Sequence, residues 1–284
     1  MSAGPPLLRV RLNAGYAGNP VVRDVQFNLG RGEVLGLVGS SGAGKSTLIL
    51  SLLGLLPWRG GRVCGEVIFD GQNLLELPEG KLRRLRGRRI ALVPQSAMSA
   101  LNPALTLERH FREAWRAHDS RGRDVLAARL SLLLDEVQLP AGNDFLRRRP
   151  SQISVGQAQR VLIALALLHE PALIVADEPT SALDPVTQAQ IVDLLRRLNQ
   201  IHGSSLLYVS HDLISVLRLC HRIAVLDAGS LVEDLPVGSL SEARHPATVR
   251  LLRALPVPVE VLLRFSNRVA PAEFAPAGSD LVAT

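Results

Sequence analysis

Five short runs along the chain are continuously apolar rather than alternating between polar and apolar positions. A strand that is covered on both faces has this pattern, because neither face meets water. Strands of this kind that alternate with helices predict an α/β core with a mostly parallel sheet. The apolar runs are residues 33–39, 89–95, 172–178, 205–211 and 222–229. The segments with helical character between them are roughly residues 45–56, 157–169, 185–202 and 212–220.

Two regions depart from this alternation. Residues 7–30 and 62–70 have β character and predict a smaller antiparallel element near the start of the chain. Residues 100–150 contain charged helical segments and no clear strand, which predicts a helical subdomain inserted into the core. The last residues, 270–284, are rich in Pro, Ala and Gly and are expected to be disordered or loosely docked. The predicted division is a core of residues 1–98 and 160–255, a helical subdomain of residues 99–159, and a C-terminal tail of residues 256–284.

Length and composition allow a sizeable core, since 47% of the 284 residues are apolar. The longest uninterrupted apolar run, residues 161–168, is far shorter than the roughly 20 residues that a membrane-spanning helix needs. The first residues lack a charged lead-in followed by a long apolar segment, so no signal peptide is predicted. We therefore expect the chain at the cytoplasmic face of a membrane, which it would contact through a partner.

The net charge of +6 comes almost entirely from arginine, because Lys45 and Lys81 are the only lysines. A basic balance can indicate nucleic acid, but the sequence has no Lys/Arg block with interleaved aromatic residues, so no nucleic-acid partner is predicted. Cys64 and Cys220 lie far apart and fit neither a disulfide framework nor the spacing of metal ligands. We expect both to be reduced thiols.

A glycine-rich motif, GSSGAGKST, follows the apolar run 33–39 and opens a helical segment. It fits G-x-x-x-x-G-K-[ST], in which backbone N–H groups close around phosphates at the positive end of a helix. Lys45 would supply a positive charge, and the Ser46 hydroxyl would be a ligand for Mg²⁺. The motif predicts a P-loop NTPase core. Its nucleotide-binding residues are Gly39, Ser40, Ser41, Gly42, Ala43, Gly44, Lys45, Ser46 and Thr47.

Polar residues at the ends of other apolar runs supply the remaining chemistry of a nucleotide site. Asp177 would orient Mg²⁺, and Glu178 would act as general base on the attacking water. Taken alone, this pair would fit an ordinary solvated acidic loop, and the P-loop upstream favours the catalytic interpretation. His211 ends a further run, at the edge where ligands bind in open α/β sheets. Gln95, also at the end of a run, can either hydrogen-bond the water or coordinate the Mg²⁺.

Together these motifs resemble the ATP-binding-cassette (ABC) ATPases, over about residues 7–255. The resemblance implies ATP and Mg²⁺ as cofactors, and hydrolysis at the interface of two ATPase chains. It also implies that Tyr16 stacks on adenine, and that Ser154, Gly156 and Gln157 act on the ATP of the partner chain. The motifs are the Walker A segment 39–47, the Q-loop residue Gln95, the signature 154–160, the Walker B segment 173–178, the D-loop 181–184 with Asp184, and the switch histidine His211.

Three stretches, residues 100–103, 177–195 and 244–256, look like those of the peptide/nickel/opine importer ATPases. This resemblance implies a second ATPase subunit, usually a different one, together with two membrane permeases and an extracytoplasmic solute-binding protein. The cargo stays open between peptides, nickel and related metal-chelate or opine solutes.

Three other functions compete with the importer. A soluble ABC ATPase typically carries a coiled coil, zinc-binding cysteines or two cassettes, none of which is visible. The residues 245–256 argue against an efflux ATPase. Glu178 and His211 argue against a cassette that only binds nucleotide.

Val155 departs from the family, because most members have glycine at this position of the signature. A β-branched side chain narrows the accessible backbone conformations and adds bulk beside a phosphate. Two hypotheses follow. Either the backbone at Val155 does not need a positive φ and the valine is tolerated, or the composite site that uses this signature is weakened.

Overall fold

The computed structural model describes residues 4–266 and arranges their strands in two sheets. The strands are β1 (Leu8–Tyr16), β2 (Asn19–Leu29), β3 (Val34–Val38), β4 (Gly61–Phe69), β5 (Gln72–Asn73), β6 (Ile90–Val93), β7 (Leu173–Asp177), β8 (Ser205–Ser210), β9 (Arg222–Asp227) and β10 (Ser230–Pro236). The α-helices are α1 (Lys45–Leu52), α2 (Glu79–Leu85), α3 (Ala97–Ala100), α4 (Leu107–Arg116), α5 (Arg123–Glu136), α6 (Asn143–Leu146), α7 (Val155–Leu167), α8 (Pro185–His202), α9 (Leu213–Leu219), α10 (Pro246–Arg253) and α11 (Val259–Ser266). Short 3₁₀ helices are Leu56–Arg59, Leu74–Glu76, Pro150–Gln152 and Val237–Glu242.

The larger sheet has the strand order β10-β9-β3-β8-β7-β6. All its neighbouring pairs are parallel except β10 and β9, which are antiparallel at one edge. Strands β3 and β8 are buried along their whole length, which explains why their sequences are continuously apolar. The predicted α/β core with a mostly parallel sheet is confirmed.

The smaller sheet, β2-β1-β4-β5, is antiparallel throughout. Its inner face shares one apolar cluster with α1 and with the larger sheet, in which Leu12, Phe27 and Val67 join Leu48 and Leu37. Helix α1 therefore starts at the P-loop and is packed on both sides. The predicted antiparallel element near the start of the chain is confirmed.

Helices α3 to α6 lie between β6 and β7 in the chain, and the structure describes no strand among residues 97–150. Their apolar faces, with Phe111 and Leu133 as examples, belong to a second cluster that also holds Val161 of α7 and Ala176 of β7. Helix α7 thus runs from the helical region into the core. The inserted helical subdomain predicted from the sequence is confirmed.

The last described elements are anchored on the edge of the large sheet. Glu233 of β10 accepts hydrogen bonds from the backbone N–H groups of Arg244 and His245, at 2.6 and 2.9 Å. Nδ1 of His245 accepts from the Ala247 N–H and so caps α10. Within residues 4–266, no helix combines the length and apolar character needed to cross a membrane. Residues 267–284, with the stretch expected to be disordered or loosely docked, lie outside the described residues.

Candidate functional site

The P-loop connects β3 to α1, and its glycines are required by the backbone. A Cβ atom on Gly39 would lie 2.3 Å from the carbonyl oxygen of Leu226, so only glycine fits there. Gly44, immediately before α1, has φ 104°, in the left-handed region that glycine adopts without steric cost. The two glycines therefore place the loop over the first turn of α1.

Lys45 is buried at the start of α1 and points back into the loop. Its ammonium group donates to the carbonyl oxygens of Gly39 and Ser40, at 2.8 and 3.1 Å. The same nitrogen lies 3.7 Å from Oε1 of Glu178. A buried ammonium needs such partners, because burying an unpaired charge is costly. These contacts hold the Lys45 ammonium group at the loop.

Three predicted site residues converge on the Glu178 carboxylate. Besides its ion pair with Lys45, Glu178 accepts a hydrogen bond on Oε2 from Nε2 of Gln95 at 3.3 Å. Nδ1 of His211 lies 3.0 Å from the same oxygen. Gln95, Glu178 and His211 follow β6, β7 and β8, which are neighbours in the sheet, so their side chains meet at one edge. This convergence is the geometric centre of the site.

Glu178 is held in a backbone conformation that glutamate rarely adopts, with φ 45°. Its N–H donates to the carbonyl oxygen of Val209, at 2.9 Å, and its own carbonyl oxygen accepts from the N–H of Ser181. A left-handed residue other than glycine costs about 1–2 kcal/mol. Such strain is common where a side chain must be aimed at a ligand, and here it turns the Glu178 carboxylate toward the P-loop.

Asp177, the last residue of β7, lies in surroundings that disfavour its charged form. Burial raises its pKa above the usual value, the neighbouring charge of Glu178 raises it further, and Lys45 opposes the shift. A carboxylate in this setting favours a nearby cation. Among residues 4–266 no group of three or more His, Cys, Asp or Glu side chains is arranged to hold a metal ion. Any cation held here would therefore need other oxygen ligands besides Asp177 and Glu178.

A cleft of about 590 Å³ opens between the P-loop and the convergence on Glu178. Sequence reasoning missed one of its lining residues, Val21 of β2, whose carbonyl oxygen would lie 3.1 Å from a Cβ on Gly44. A valine in a β-rich segment carries no chemical signal that could have identified it. The lining residues are Val21, Ser41, Gly42, Gly44, Lys45, Ser46, Thr47, Gln95, Glu178 and His211.

Tyr16 is not among the described residues that line this cleft. It ends β1, opposite Asn19 and Gly61, and is partly buried against the apolar cluster of the smaller sheet. Its stacking on adenine stays a prediction.

A buried hydrogen-bonded group behind His211 was also missed. The Tyr208 hydroxyl donates to Oγ of Ser215 at 3.2 Å and lies 3.3 Å from Oγ1 of Thr180. These contacts join β8 to α9 and to the segment that follows Glu178. Tyr208 breaks the otherwise aliphatic pattern of residues 206–209, and this was the one available sign that a polar partner lay nearby.

The signature starts α7 with a capping box. Oγ of Ser154 accepts from the Gln157 N–H, and the Gln157 side chain accepts from the Ser154 N–H, both at 3.1 Å. Val155 is the first helical residue, its side chain is 42% exposed, and it is not among the described residues with positive φ. The backbone at this position therefore does not require glycine. Ser154, Gly156 and Gln157 do not line the P-loop cleft.

The predicted D-loop leads into α8, and Asp184 caps that helix. Its Oδ1 accepts from the N–H groups of Val186 and Thr187, at 3.1 and 3.0 Å. A hydrogen bond from the Thr187 side chain is the main cause that lowers the pKa of Asp184. The capping role of Asp184 is thus visible in the single chain.

Comparison with known proteins agrees with this geometry. The ABC transporter family profile matches residues 22–181, more than half of the chain. A putative peptide import ATP-binding protein of Brucella abortus is 42% identical over 260 residues, which are 88% of this chain and 77% of that protein. The peptidoglycan transport ATP-binding protein YejF of Agrobacterium fabrum is 40% identical over 259 residues, 88% of this chain. The chain spans only 47% of the length of YejF.

A similar solved structure is that of the ATP-binding cassette MJ0796, a dimer in a post-hydrolysis state bound to ADP and phosphate. It superposes with a TM-score of 0.68 at 28% identity, covering 81% of this chain and 98% of that one. The P-loop, the strained glutamate and the residues that meet it thus lie in a fold that holds a nucleotide in a relative. The chain belongs to the ABC transporter family and is one of its ATP-binding cassettes, an enzyme that hydrolyses ATP.

Proposed function

We propose that this cassette is the ATP-hydrolysing subunit of a membrane importer for peptides. The observation that carries the proposal is the convergence of Lys45, Gln95 and His211 on the Glu178 carboxylate beside the P-loop. A cassette that only binds nucleotide has no need of a strained glutamate held by three polar partners.

In the proposed reaction the P-loop N–H groups and Lys45 hold the β- and γ-phosphates of ATP. Glu178 takes a proton from the attacking water, which Gln95 and His211 help to orient. The ion pair with Lys45 and the bonds from Gln95 and His211 hold the Glu178 carboxylate at the cleft before ATP arrives. Preorganisation of this kind lowers the barrier, because little has to rearrange during the reaction.

Two oxygen donors that line the cleft, together with Asp177, which ends β7 beside Glu178 but does not line the cleft, fit Mg²⁺. Hard oxygen ligands, which Mg²⁺ prefers, are supplied by the Ser46 hydroxyl, the Gln95 amide oxygen and the Asp177 carboxylate. The pKa of Asp177 is raised by burial and by the charge of Glu178, and a bound cation would stabilise its charged form. Mg²⁺ usually keeps waters and phosphate oxygens as ligands, so the small number of protein carboxylates is suitable. When bound, Mg²⁺ would neutralise negative charge on the β- and γ-phosphates.

The signature is proposed to act on the ATP of a second ATPase subunit, in a heterodimer. Ser154 uses its oxygen as an acceptor within the cap, which leaves its O–H free to donate to a phosphate of the partner's nucleotide. The N–H of Gly156 would donate as well, at the positive end of α7. The dimeric form of the MJ0796 cassette supports this arrangement.

The chain would act at the cytoplasmic face, on two permeases supplied by an extracytoplasmic binding protein. Peptides are the favoured cargo, because the Brucella abortus relative is named for peptide import and YejF for peptidoglycan transport. Nickel and opine-type solutes are the competing cargoes within the same importer group.

Reconstitution tests the proposal. The chain is assembled in proteoliposomes with the permeases, second ATPase and binding protein encoded beside its gene, and phosphate release is measured with peptide, Ni²⁺ or an opine. We expect peptide to stimulate turnover and the Glu178→Gln variant to abolish the stimulation. Stimulation by Ni²⁺ or an opine alone would assign another cargo, and absence of ATP turnover in the complete assembly would reject the importer role.

A further inference from the structure

The imidazole of His211 has little side-chain support of its own. The His211 side chain is 60% exposed, and within residues 4–266 Glu178 is the one group that it bonds to, at 3.0 Å. The position of the ring therefore depends on the backbone that carries it. That backbone turns at Ser210, whose hydroxyl accepts from the Asp212 N–H at 3.0 Å, and it continues directly into α9.

Asp212 joins the residue after His211 to the start of α9. Its carboxylate accepts from the N–H groups of Ile214 and Ser215, at 3.0 and 3.2 Å, and its carbonyl oxygen accepts from the Ser215 hydroxyl at 2.8 Å. The side-chain bonds make Asp212 the N-cap of α9. All these bonds are local in the chain, so they shape the turn at His211 without fixing where it lies relative to other helices.

Gln188 of α8 supplies the contact that is not local. Its Nε2 donates to Oδ2 of Asp212, and within residues 4–266 no other side chain from outside residues 210–215 bonds to Asp212. Gln188 is half-buried in the first turn of α8, where its N–H donates to the Asp184 carbonyl oxygen at 2.8 Å. The donor is thus carried by a helix, and its bond to a carboxylate is of the stronger, charge-assisted kind.

A cavity of about 320 Å³ lies beside this hydrogen bond. Gln188 lines it from α8, Asp212 from the start of α9, and His211 from the side of the catalytic cleft. Side chains therefore leave open space between α8 and His211, and the Gln188–Asp212 bond joins two walls of that space. A second link between the two helices, the exposed ion pair of Arg218 with Asp193 at 3.3 Å, lies in the last turn of α9.

We propose that Gln188 is a positioning residue, which holds Asp212 and, through it, the imidazole of His211 beside Glu178. Its effect on hydrolysis rests on the proposed function, in which His211 helps to orient the attacking water. Without the amide, the turn between β8 and α9 is free to move toward the cavity, and the ring no longer keeps one position. Misplacement of a catalytic group by about 1 Å can cost about 100-fold in rate.

Nuclear magnetic resonance of the purified full-length chain, without nucleotide, tests the structural step. The chain has seven histidines, and the ring-nitrogen signals of His211 are identified as those lost in His211→Gln. We expect Gln188→Ala to shift the His211 signals and to leave those of the other histidines in place. Gln188→Met keeps the length of the side chain and removes the donor, so it should act like Gln188→Ala. Wild-type His211 signals in the methionine variant would overturn the proposal, because Gln188 would then only fill space.

An exchange of donor and acceptor adds a rescue. Gln188→Glu sets two carboxylates against each other, and Asp212→Asn leaves one oxygen for three donors, although asparagine still caps helices. We expect each single variant to shift the His211 signals. The double variant Gln188→Glu/Asp212→Asn rebuilds the bond with donor and acceptor exchanged and should return the signals toward wild type. Additive shifts in the double variant would contradict the proposal, because independent sites add.

Turnover in the complete assembly tests the catalytic consequence. We expect Gln188→Met to lower kcat about tenfold and to keep the KM for ATP within about twofold, since the P-loop contacts are untouched. Two controls should leave kcat unchanged: Gln200→Ala, at an exposed position of the same helix, and Arg218→Ala, which breaks the other link between α8 and α9.

The variant His211→Ala separates this inference from the proposed function. If His211→Ala lowers kcat and Gln188→Met does not, the positioning role is overturned while the proposed function stands. If His211→Ala leaves kcat unchanged, the proposed role of His211 in hydrolysis fails, and the His211 ring signals still decide whether Gln188 positions it.

Discussion

The chain has two helix starts suited to phosphate, and they differ in how complete they are. At the start of α1, Lys45 is buried and already bound to Gly39, Ser40 and Glu178. At the start of α7, the side chains of Ser154 and Gln157 accept from each other's backbone N–H groups, and Val155 is exposed. The first brings the phosphate-binding Lys45 and the proposed base Glu178 together within one chain. The second, under the proposed function, contributes to the nucleotide site of a partner chain.

The glycine requirements of the two helix starts also differ. Gly39 is required by the carbonyl oxygen of Leu226 on β9 and Gly44 by its own left-handed backbone, whereas Gly156 lies against a side-chain methyl, that of Thr187. Backbone atoms thus constrain the P-loop, and a side chain constrains the signature. We infer that changes at the P-loop act on the chain's own nucleotide and changes at the signature on a partner's, and the following predictions test this division.

Glu178→Gln should produce the largest effect. The single amide oxygen can still accept from either Lys45 or Gln95, which contact different oxygens of Glu178, but the amide cannot accept a proton from water. General bases contribute about 10²–10⁴-fold to rates. We expect ATP turnover to fall by at least about 100-fold, with ATP affinity kept within a few fold. Single-turnover phosphate release and equilibrium binding measure the two quantities. Loss of binding equal to the loss of turnover would remove Glu178 from the role of base.

Lys45→Ala should lower both affinity and turnover, by roughly 100-fold in turnover, because one preorganised phosphate donor is lost. Lys81, exposed on α2 and the only other lysine, provides the matched control. Lys81→Ala should leave turnover and affinity unchanged. Equal effects of the two substitutions would mean that overall charge, and not the P-loop, controls binding.

The same substitution should have opposite effects at Asp177 and Asp184 in the nucleotide-free, Mg²⁺-free chain. The raised pKa of Asp177 means that the folded chain holds its proton more tightly, so stability falls as pH rises from 3.8 through the folded pKa. Asp177→Asn should therefore raise Tm at pH 7 by about 2 °C.

The lowered pKa of Asp184 has the reverse consequence. Its charged form stabilises the fold above pH 3.8, and this stabilisation is lost as pH falls through the folded pKa. Asp184→Asn should lower Tm at pH 7, by a small amount because asparagine also caps helices. Thermal melts between pH 3.5 and 7 measure both variants, and shifts of the same sign would contradict the assigned electrostatics.

Val155→Gly should have the smallest effect. Since Val155 is helical and exposed, we expect ATP turnover of the assembled transporter to change less than about twofold, within what a residue without a backbone role can do. The exposed Val125, in the first turn of α5, gives the control Val125→Gly. An increase of turnover well beyond twofold in Val155→Gly alone would favour the weakened composite site.

Much of the fold and site followed from the sequence, because the signals were local. Continuous apolar runs identified the five parallel strands, and the spacing of the P-loop motif fixed Lys45 and Ser46. Polar residues at run ends identified Gln95, Glu178 and His211, which meet because β6, β7 and β8 are neighbours. The strand order itself carries no local signal and came only from the structure.

Features that depend on contacts between distant segments were not predictable. Val21 enters the cleft because β2 passes beside Gly44, and Thr187 reaches Gly156 because the first turn of α8 lies beside the first turn of α7. The sequence of the signature does not show which of its positions contacts another helix. Val155 is exposed to solvent, so its side chain is tolerated, whereas its neighbour Gly156 lies against the methyl group of Thr187.

The proposed division between a P-loop that binds the chain's own nucleotide and a signature that serves a partner's is tested most directly by nucleotide binding to the isolated chain carrying Ser154→Asp. Aspartate keeps the helix cap but adds negative charge where a partner's phosphate would bind. In titrations with a fluorescent ATP analogue, with light scattering confirming single chains, we predict affinity within about twofold of wild type, since Ser154 is not among the residues that line the chain's own cleft. The same variant should stop turnover in the assembled transporter. Weakening of the isolated chain's affinity to the level of Lys45→Ala would contradict the account, because the signature would then serve its own nucleotide.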